Sequence, residues 1–316
     1  MKIYMPYVFP EPLMTGWGAG VELDVNRSGF AVSREEMKKH LQDADAVVIN
    51  LEDEFDQEMI DAAPKLKVIT LFAGSTYNID VEYAKSKGIV VCTTPGEIFE
   101  NTADLTFALL MATARRIPEA DAYIRAGRYH AWGPDVLLGG DIYRKTIGLI
   151  GFGKIGQNVA RRAAGFDMKI LYTAQHGPKP EVEKELHAVF ASKEELLRQA
   201  DFVCLHCKLT PDTRHIIARC ELEMMKPTAY LINTGRGPLI DEAELADALE
   251  QRRIAGAGLD VFEEEPIVTP KLLALPNVVM TPHLGASSRE NRMQMAQIAA
   301  ECTRSALAGK EPQYHA

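Results

Sequence analysis

The sequence predicts an α/β protein built on doubly wound parallel sheets, and three observations carry that expectation. Short β-rich runs alternate with stretches of helical spacing along most of the chain. One apolar run ends in a glycine-rich turn that opens directly into a helical pattern. At 316 residues and 47% hydrophobic content, the chain is long enough for two cores. Strands that alternate with helices are expected to pair in parallel, with helices on both faces of the sheet.

Taken in order, the first series has strands at 3–8, 46–49, 68–71 and 89–92, with amphipathic helices at 34–41, 56–62 and 81–87. The opening residues 1–11 lack the unbroken apolar core and small-residue cleavage site of a signal peptide, and read as a first strand. No segment is long and apolar enough to span a bilayer, so a cytoplasmic protein is expected. A long helical pattern follows at 101–116, with Thr102 and Asp104 at its start and Arg115 and Arg116 at its end, as the helix dipole favours. The looser stretch 127–140 reads as a bridge between domains. A second series starts at Thr146, with further strands near 169–172, 202–207, 229–233, 256–260 and 278–281.

The glycine-rich turn is Gly151-Phe152-Gly153-Lys154-Ile155-Gly156, a G-x-G-x-x-G between strand and helix. In a dinucleotide-binding unit the first glycine makes the turn and the second lets the backbone approach a pyrophosphate. The third allows close packing of helix on strand, and the helix N-terminus supplies unpaired N–H groups. Lys and Arg number 35 against 44 Asp and Glu, giving −9. Such a surface repels nucleic acid and anionic membranes, so a phosphate must be held by local groups. Five cysteines, at 92, 204, 207, 220 and 302, form no regular framework and suit a reducing compartment. Cys204 and Cys207 have C-x-x-C spacing, but they sit in a strand-like run that turns them to opposite faces, and no second pair completes a metal site.

Three groups stand at the ends of the later strands, where an open α/β sheet places its ligands. Arg236, flanked by Gly235 and Gly237, offers a planar fork matched to a carboxylate. Glu263, Glu264 and Glu265 follow another strand, and at least two of them are expected to belong to a solvated loop. Glu265 precedes Pro266, which favours an extended backbone there. His283 follows Pro282 at the end of the last strand.

In this order, G-x-G-x-x-G, Asn-Thr-Gly-Arg-Gly, Gly-Leu-Asp-Val-Phe-x-x-Glu-Pro and Thr-Pro-His closely resemble the D-isomer-specific 2-hydroxyacid dehydrogenases over nearly the whole chain. The segment 73–80 resembles that family's substrate loop. The resemblance implies a flavodoxin-like substrate domain from residues 1–99 and 286–316, a Rossmann cofactor domain at 100–285 inserted into it, an active site in the cleft, and a homodimer paired through the cofactor domain. It implies a small 2-oxo or 2-hydroxy acid substrate, with hydride from a nicotinamide and a proton from His283. Glu265 would bond the imidazole and favour its proton-bearing form. Arg236 would hold the substrate carboxylate and polarise its carbonyl. Amides around Gly74 and Ser75 would hold the other end of the carboxylate, and Asp260 would orient the nicotinamide amide. Lys154, Ile155, Cys207, Thr213 and Thr234 are carried over as further cofactor contacts.

Two positions depart from the family. The acidic residue expected after the second cofactor-domain strand falls at Ala174 and is absent, while Gln175, His176 and Lys179 follow; this favours NADP over NAD. Ser75 and Tyr77 stand where the family often has glycine and an acid. Glu265 disfavours a formate dehydrogenase, and the lack of a lysine near Gly74 disfavours a phosphite dehydrogenase. With no regulatory extension after residue 316, a glyoxylate or hydroxypyruvate reductase is expected. The alternatives are a phosphoglycerate dehydrogenase-like enzyme and a nucleotide-sensing corepressor, which would not need His283, Glu265 and Arg236.

Overall fold

The runs 46–49 and 68–71 hold no polar residue except Thr70, and a strand apolar on both faces is stable only when both faces are covered. The computed structural model describes residues 1–74, 76–95 and 98–316. It divides into two units, one formed by Met1–Ile98 with Ser287–Ala316 and the other by Phe99–Ala286.

In the first unit, strands β1 (Lys2–Met5), β2 (Glu22–Val25), β3 (Ala46–Ile49), β4 (Val68–Leu71) and β5 (Val90–Thr93) form one parallel sheet in the order β2-β1-β3-β4-β5. Alternate residues enter different cores, as the two-residue strand period requires. Val47, Ile49, Ile69 and Leu71 pack with Met37, Leu41 and Met59 from the helices Arg34–Leu41 and Gln57–Asp61. Ala46, Val48 and Val68 pack with Met295, Ala299 and Ala300 of the helix Arg289–Leu307. Thr70 is satisfied there by a 2.6 Å hydrogen bond with the Thr303 hydroxyl. The strand expected at 3–8 stops at Met5, because Pro6 has no N–H for the ladder. β2 lies outside the expected strands.

The second unit has seven strands, β6 (Thr146–Ile150), β7 (Lys169–Thr173), β8 (Ala188–Phe190), β9 (Phe202–Leu205), β10 (Tyr230–Asn233), β11 (Gly256–Leu259) and β12 (Val278–Met280). All pair in parallel, in the order β12-β11-β10-β9-β6-β7-β8. The order reverses between β6 and β9, and the carboxyl ends of these two strands flank the crevice in which such sheets bind ligands. The helices Ile98–Ala114 and Lys154–Ala164 contribute Phe107, Leu110, Val159 and Ala163 to the core on one face. Helices Lys193–Gln199 and Glu242–Glu250 contribute Leu196, Leu197, Leu245 and Leu249 to the core on the other. Edge strand β8 also lies outside the expected strands.

Two expectations need correction. The helix expected at 101–116 runs Ile98–Ala114, and a separate helix, Ile117–Arg125, begins after Arg116 enters the left-handed region at φ 54°. The stretch 127–140 is no bridge between units, since it lies wholly inside Phe99–Ala286. It turns back on its own unit, where the Gly140 N–H donates to Ala114 O at 2.8 Å. Among the described residues no helix is long and apolar enough to cross a membrane.

Candidate active site

Strand β6 delivers the chain to Gly151, whose φ of 99° few residues with a side chain adopt. A β-carbon there would meet Cys207 N at 2.4 Å and the His206 carbonyl carbon at 2.5 Å, so this turn lies directly on the end of β9. Gly156 is pinned the same way, since its β-carbon would meet Gly151 O at 2.4 Å. Gly153 differs, for a β-carbon there meets nothing within 4 Å. The protein itself does not demand glycine at 153, whereas a ligand approaching the backbone would. Gly153 is the cap of the helix Lys154–Ala164 and supplies no side-chain bond to its first amides. The loop therefore has the form that a pyrophosphate needs.

Around this loop, Lys154 Nζ lies over the Phe99 ring at 4.8 Å from its centre, and Ile155 is partly buried. His206 presses into the protein, with both ring nitrogens enclosed and unpartnered, and burial pulls its pKa down to about 3. Burial pushes the Cys207 thiol up to about 11. The Thr213 hydroxyl is committed to its own turn, donating to Lys208 O at 2.6 Å and accepting the Thr210 N–H at 2.7 Å. After β7, Gln175 and His176 are exposed, and Gly177 closes a turn onto Ala174 O. Lys179 then folds back, its N–H donating to the Tyr172 hydroxyl at 2.7 Å and its Nζ to Phe152 O at 3.0 Å. A cation is thus anchored on the glycine loop itself.

The buried Asn233 shapes the turn after β10. Its side chain accepts the Gly235 N–H at 3.0 Å and donates to Arg236 O at 2.9 Å. Arg236 Nη1 donates to Gly235 O at 2.7 Å, and the Thr234 hydroxyl pairs with that of Thr106 at 2.7 Å. At the end of β11, Asp260 is 1% exposed and its carboxylate accepts from the Thr281 hydroxyl, Leu284 N–H and Gly285 N–H at 2.7, 2.7 and 2.9 Å. Asp260 O also accepts the His283 N–H at 2.8 Å. These bonds hold His283 at φ 53°, a conformation that costs of order 1–3 kcal/mol and persists only where its surroundings impose it. Glu265 Oε1 accepts the Phe262 N–H at 3.0 Å, and Glu265 Oε2 lies 2.7 Å from His283 Nδ1.

Residues 107–285 match the family described as D-isomer specific 2-hydroxyacid dehydrogenase, NAD binding domain. A glyoxylate reductase from Thermococcus onnurineus is 46% identical over 88% of this chain and 84% of its own. A crystal structure of a Thermus thermophilus protein is 42% identical, with a TM-score of 0.92 over 100% of this chain and 99% of that one. The chain belongs to the D-isomer specific 2-hydroxyacid dehydrogenase family. A Sinorhizobium meliloti NADPH-dependent glyoxylate/hydroxypyruvate reductase, solved with NADP and malonate, is 28% identical with a TM-score of 0.82, covering 100% of this dehydrogenase and 96% of that chain. The present chain is an NAD(P)-dependent oxidoreductase of 2-hydroxy acids, and its Gly151–Gly156 loop fits the nicotinamide dinucleotide that this family uses.

The electrostatics of the dehydrogenase follow from these contacts. Burial alone would raise Glu265, but the hydrogen bond and charge of His283, the Phe262 N–H and the Arg236 charge outweigh it and hold the carboxyl below its ordinary range. An ionised Glu265 only accepts, so His283 Nδ1 must carry the hydrogen and Nε2 is left for exchange with a ligand. In Asp260 burial prevails over its hydrogen bonds and raises the pKa. Three bonds occupy this carboxylate, leaving about one of roughly four acceptor positions.

The second unit thus brings Arg236, Asp260, Glu265 and His283 together by direct bonds or charge, and joins the glycine loop to Cys207. Gly74 lies exposed in the first unit, three residues past β4, and Ser75 falls outside the described residues. The expectation that two of the three glutamates are solvated is wrong. Only Glu264 is exposed; Glu263 Oε1 lies 2.6 Å from His215 Nε2 and 3.0 Å from Arg214 Nη2. Glu242 is not among the expected site residues, yet its buried carboxylate accepts backbone N–H groups from Glu263 and Thr269. Its place in the first turn of a helix disguises it as an ordinary dipole-complementing acid.

Proposed function

We propose that this dehydrogenase reduces a small 2-oxo acid of the glyoxylate or hydroxypyruvate type to its D-2-hydroxy acid, with NADPH preferred over NADH. The observation that carries the reading is the 2.7 Å bond between Glu265 and His283 Nδ1, with the Arg236 charge acting on the same carboxylate. A reduced nicotinamide, when bound, supplies hydride to the carbonyl carbon. His283 Nε2 donates the proton to the carbonyl oxygen, and Glu265 stabilises the cationic imidazole before that transfer. Arg236 holds the carboxylate through its planar fork. Gly153 and the first amides of the helix Lys154–Ala164 would hold the pyrophosphate, with the turn at Gly151 and the close packing at Gly156 shaping the loop, and with Lys154, Ile155, Cys207, Thr213, Thr234 and Asp260 around the remainder.

The NADP preference is supported by the missing carboxylate at Ala174 and by Lys179, whose ammonium rests on Phe152 O. Beside them, the exposed Gln175 and His176 offer further partners for a 2′-phosphate. A homodimer is supported by exposed apolar side chains in 117–138 of the second unit. Five unpaired cysteines suit a reducing, cytoplasmic setting.

The test is steady-state oxidation of NADPH and NADH with glyoxylate, hydroxypyruvate, pyruvate, phenylpyruvate and phosphohydroxypyruvate. Faster turnover of NADPH with the first two acids is expected, and Ala174→Asp should move preference toward NADH. A wild-type preference for NADH would sink the cofactor assignment alone. His283→Ala should lose turnover while still quenching on NADPH binding; retained turnover would remove His283 as the proton donor.

A further inference from the structure

The acidic loop 263–269 is tied at both ends to one side chain. Glu242 Oε2 accepts the Glu263 N–H at 2.8 Å, and Glu242 Oε1 accepts the Thr269 N–H at 2.9 Å. Glu242 is 7% exposed and opens the helix Glu242–Glu250, whose cap is already supplied by Asp241 accepting the Glu244 N–H. Capping therefore does not explain it, and a first-turn acid placed for the helix dipole alone would be left in water. Instead both carboxylate oxygens are committed to amides of another segment, as charge-assisted bonds in a buried place. The Glu242 N–H returns a bond to Glu263 Oε2 at 3.3 Å.

The loop has a second wall. A β-carbon on Gly237 would lie 1.7 Å from Phe262 O and 2.6 Å from Glu263 N, so the turn that carries Arg236 rests against the loop backbone. Glu265 stands between these two constraints and meets His283 Nδ1 at 2.7 Å.

We propose that Glu242 is a positioning residue for proton transfer, a carboxylate clamp that closes loop 263–269 and so fixes Glu265 against His283. The proposal rests on the reading of His283 as proton donor. It differs from a purely structural role because its effect reaches the reacting proton. With the clamp released, Glu265 and the imidazole drift apart, and a displacement of about 1 Å costs on the order of a hundredfold in rate.

The experiment compares wild type, His283→Ala, Glu242→Gln and Glu242→Ala, measuring kcat, KM and the pH profile of kcat/KM with NADPH and glyoxylate. NADPH binding is followed by fluorescence. Glu242→Ala should lose kcat by about tenfold to a hundredfold with NADPH affinity unchanged. Its pH profile should no longer superpose on that of wild type, because the Glu265 carboxylate no longer sits against the imidazole it meets at 2.7 Å. Glu242→Gln keeps one acceptor oxygen, so it should fall between the two, and it decides alone should Glu242→Ala fail to fold. Folded Glu242 variants with wild-type kcat, or with reduced kcat on a superposed pH profile, would overturn the clamp while leaving His283 in its role. Turnover that survives in His283→Ala would instead overturn the underlying reading, and the clamp proposal would fall with it.

Discussion

Gly153 and Gly237 have the same residue type and opposite reasons for it. A side chain at 237 must displace the backbone of Phe262 and Glu263, whereas one at 153 meets no protein atom within 4 Å. Gly237→Ala is therefore expected to destabilise the fold by about 1–3 kcal/mol, as overpacking does. It should lower kcat as well, since the displaced backbone leads into Glu265. Gly153→Ala should cost no more than the exchange of a helix cap, about 1 kcal/mol or less, and weaken NADPH binding. Thermal melts paired with fluorescence titration check both, and a Gly153→Ala protein that binds NADPH as well as wild type would refute the open-loop argument. The motif spacing made Gly153 legible from sequence. It could not reveal Gly237, because the neighbour that forbids a side chain there lies 25 residues further along the chain at Phe262.

At the scale of elements, what could be read from sequence depended on where burial falls. Strands β3, β4, β6, β9 and β10 lie inside their sheets and appear in the sequence as clear apolar runs. The strands that were missed, β2 and β8, are edges; Glu22-Leu-Asp-Val is half polar, and β8 has only three residues. The acidic loop was misjudged for a related reason, since its ties to His215, Arg214 and Glu242 come from segments distant in sequence. That loop has a calculable pH signature. Glu265 is held below its ordinary range, so its stabilising contribution is present above the unfolded-state pKa of about 4.3 and is lost as pH falls through the lower folded value. Asp260, whose folded pKa is raised, opposes it, and its cost appears as pH rises above its unfolded-state pKa. A difference measurement isolates the glutamate. Glu265→Gln should be less stable than wild type at pH 7, with the gap closing below about pH 4. Melts at the two pH values decide it, and a gap that stays constant would mean that Glu265 contributes through packing rather than charge.

At the scale of the whole molecule, the second unit leaves several large apolar side chains exposed between residues 117 and 138. The helix Ile117–Arg125 buries none of its residues, and Ile124 is 61%, Trp132 79% and Leu138 66% exposed. Singly exposed apolar residues are ordinary, and such a concentration in the segment 117–138 supports the proposed homodimer. The net charge of −9 makes copies of the chain repel at long range, so apolar contact must supply the attraction. A stable dimer needs roughly 1,200–2,000 Å² of buried surface. Sedimentation velocity should therefore find a dimer, and Ile124→Glu combined with Leu138→Glu should yield monomer. The glycine loop and its neighbours lie wholly within Phe99–Ala286, so the monomeric variant should still bind NADPH. Wild type that sediments as a monomer would overturn the dimer. A double variant that remains dimeric would move the interface elsewhere on the chain.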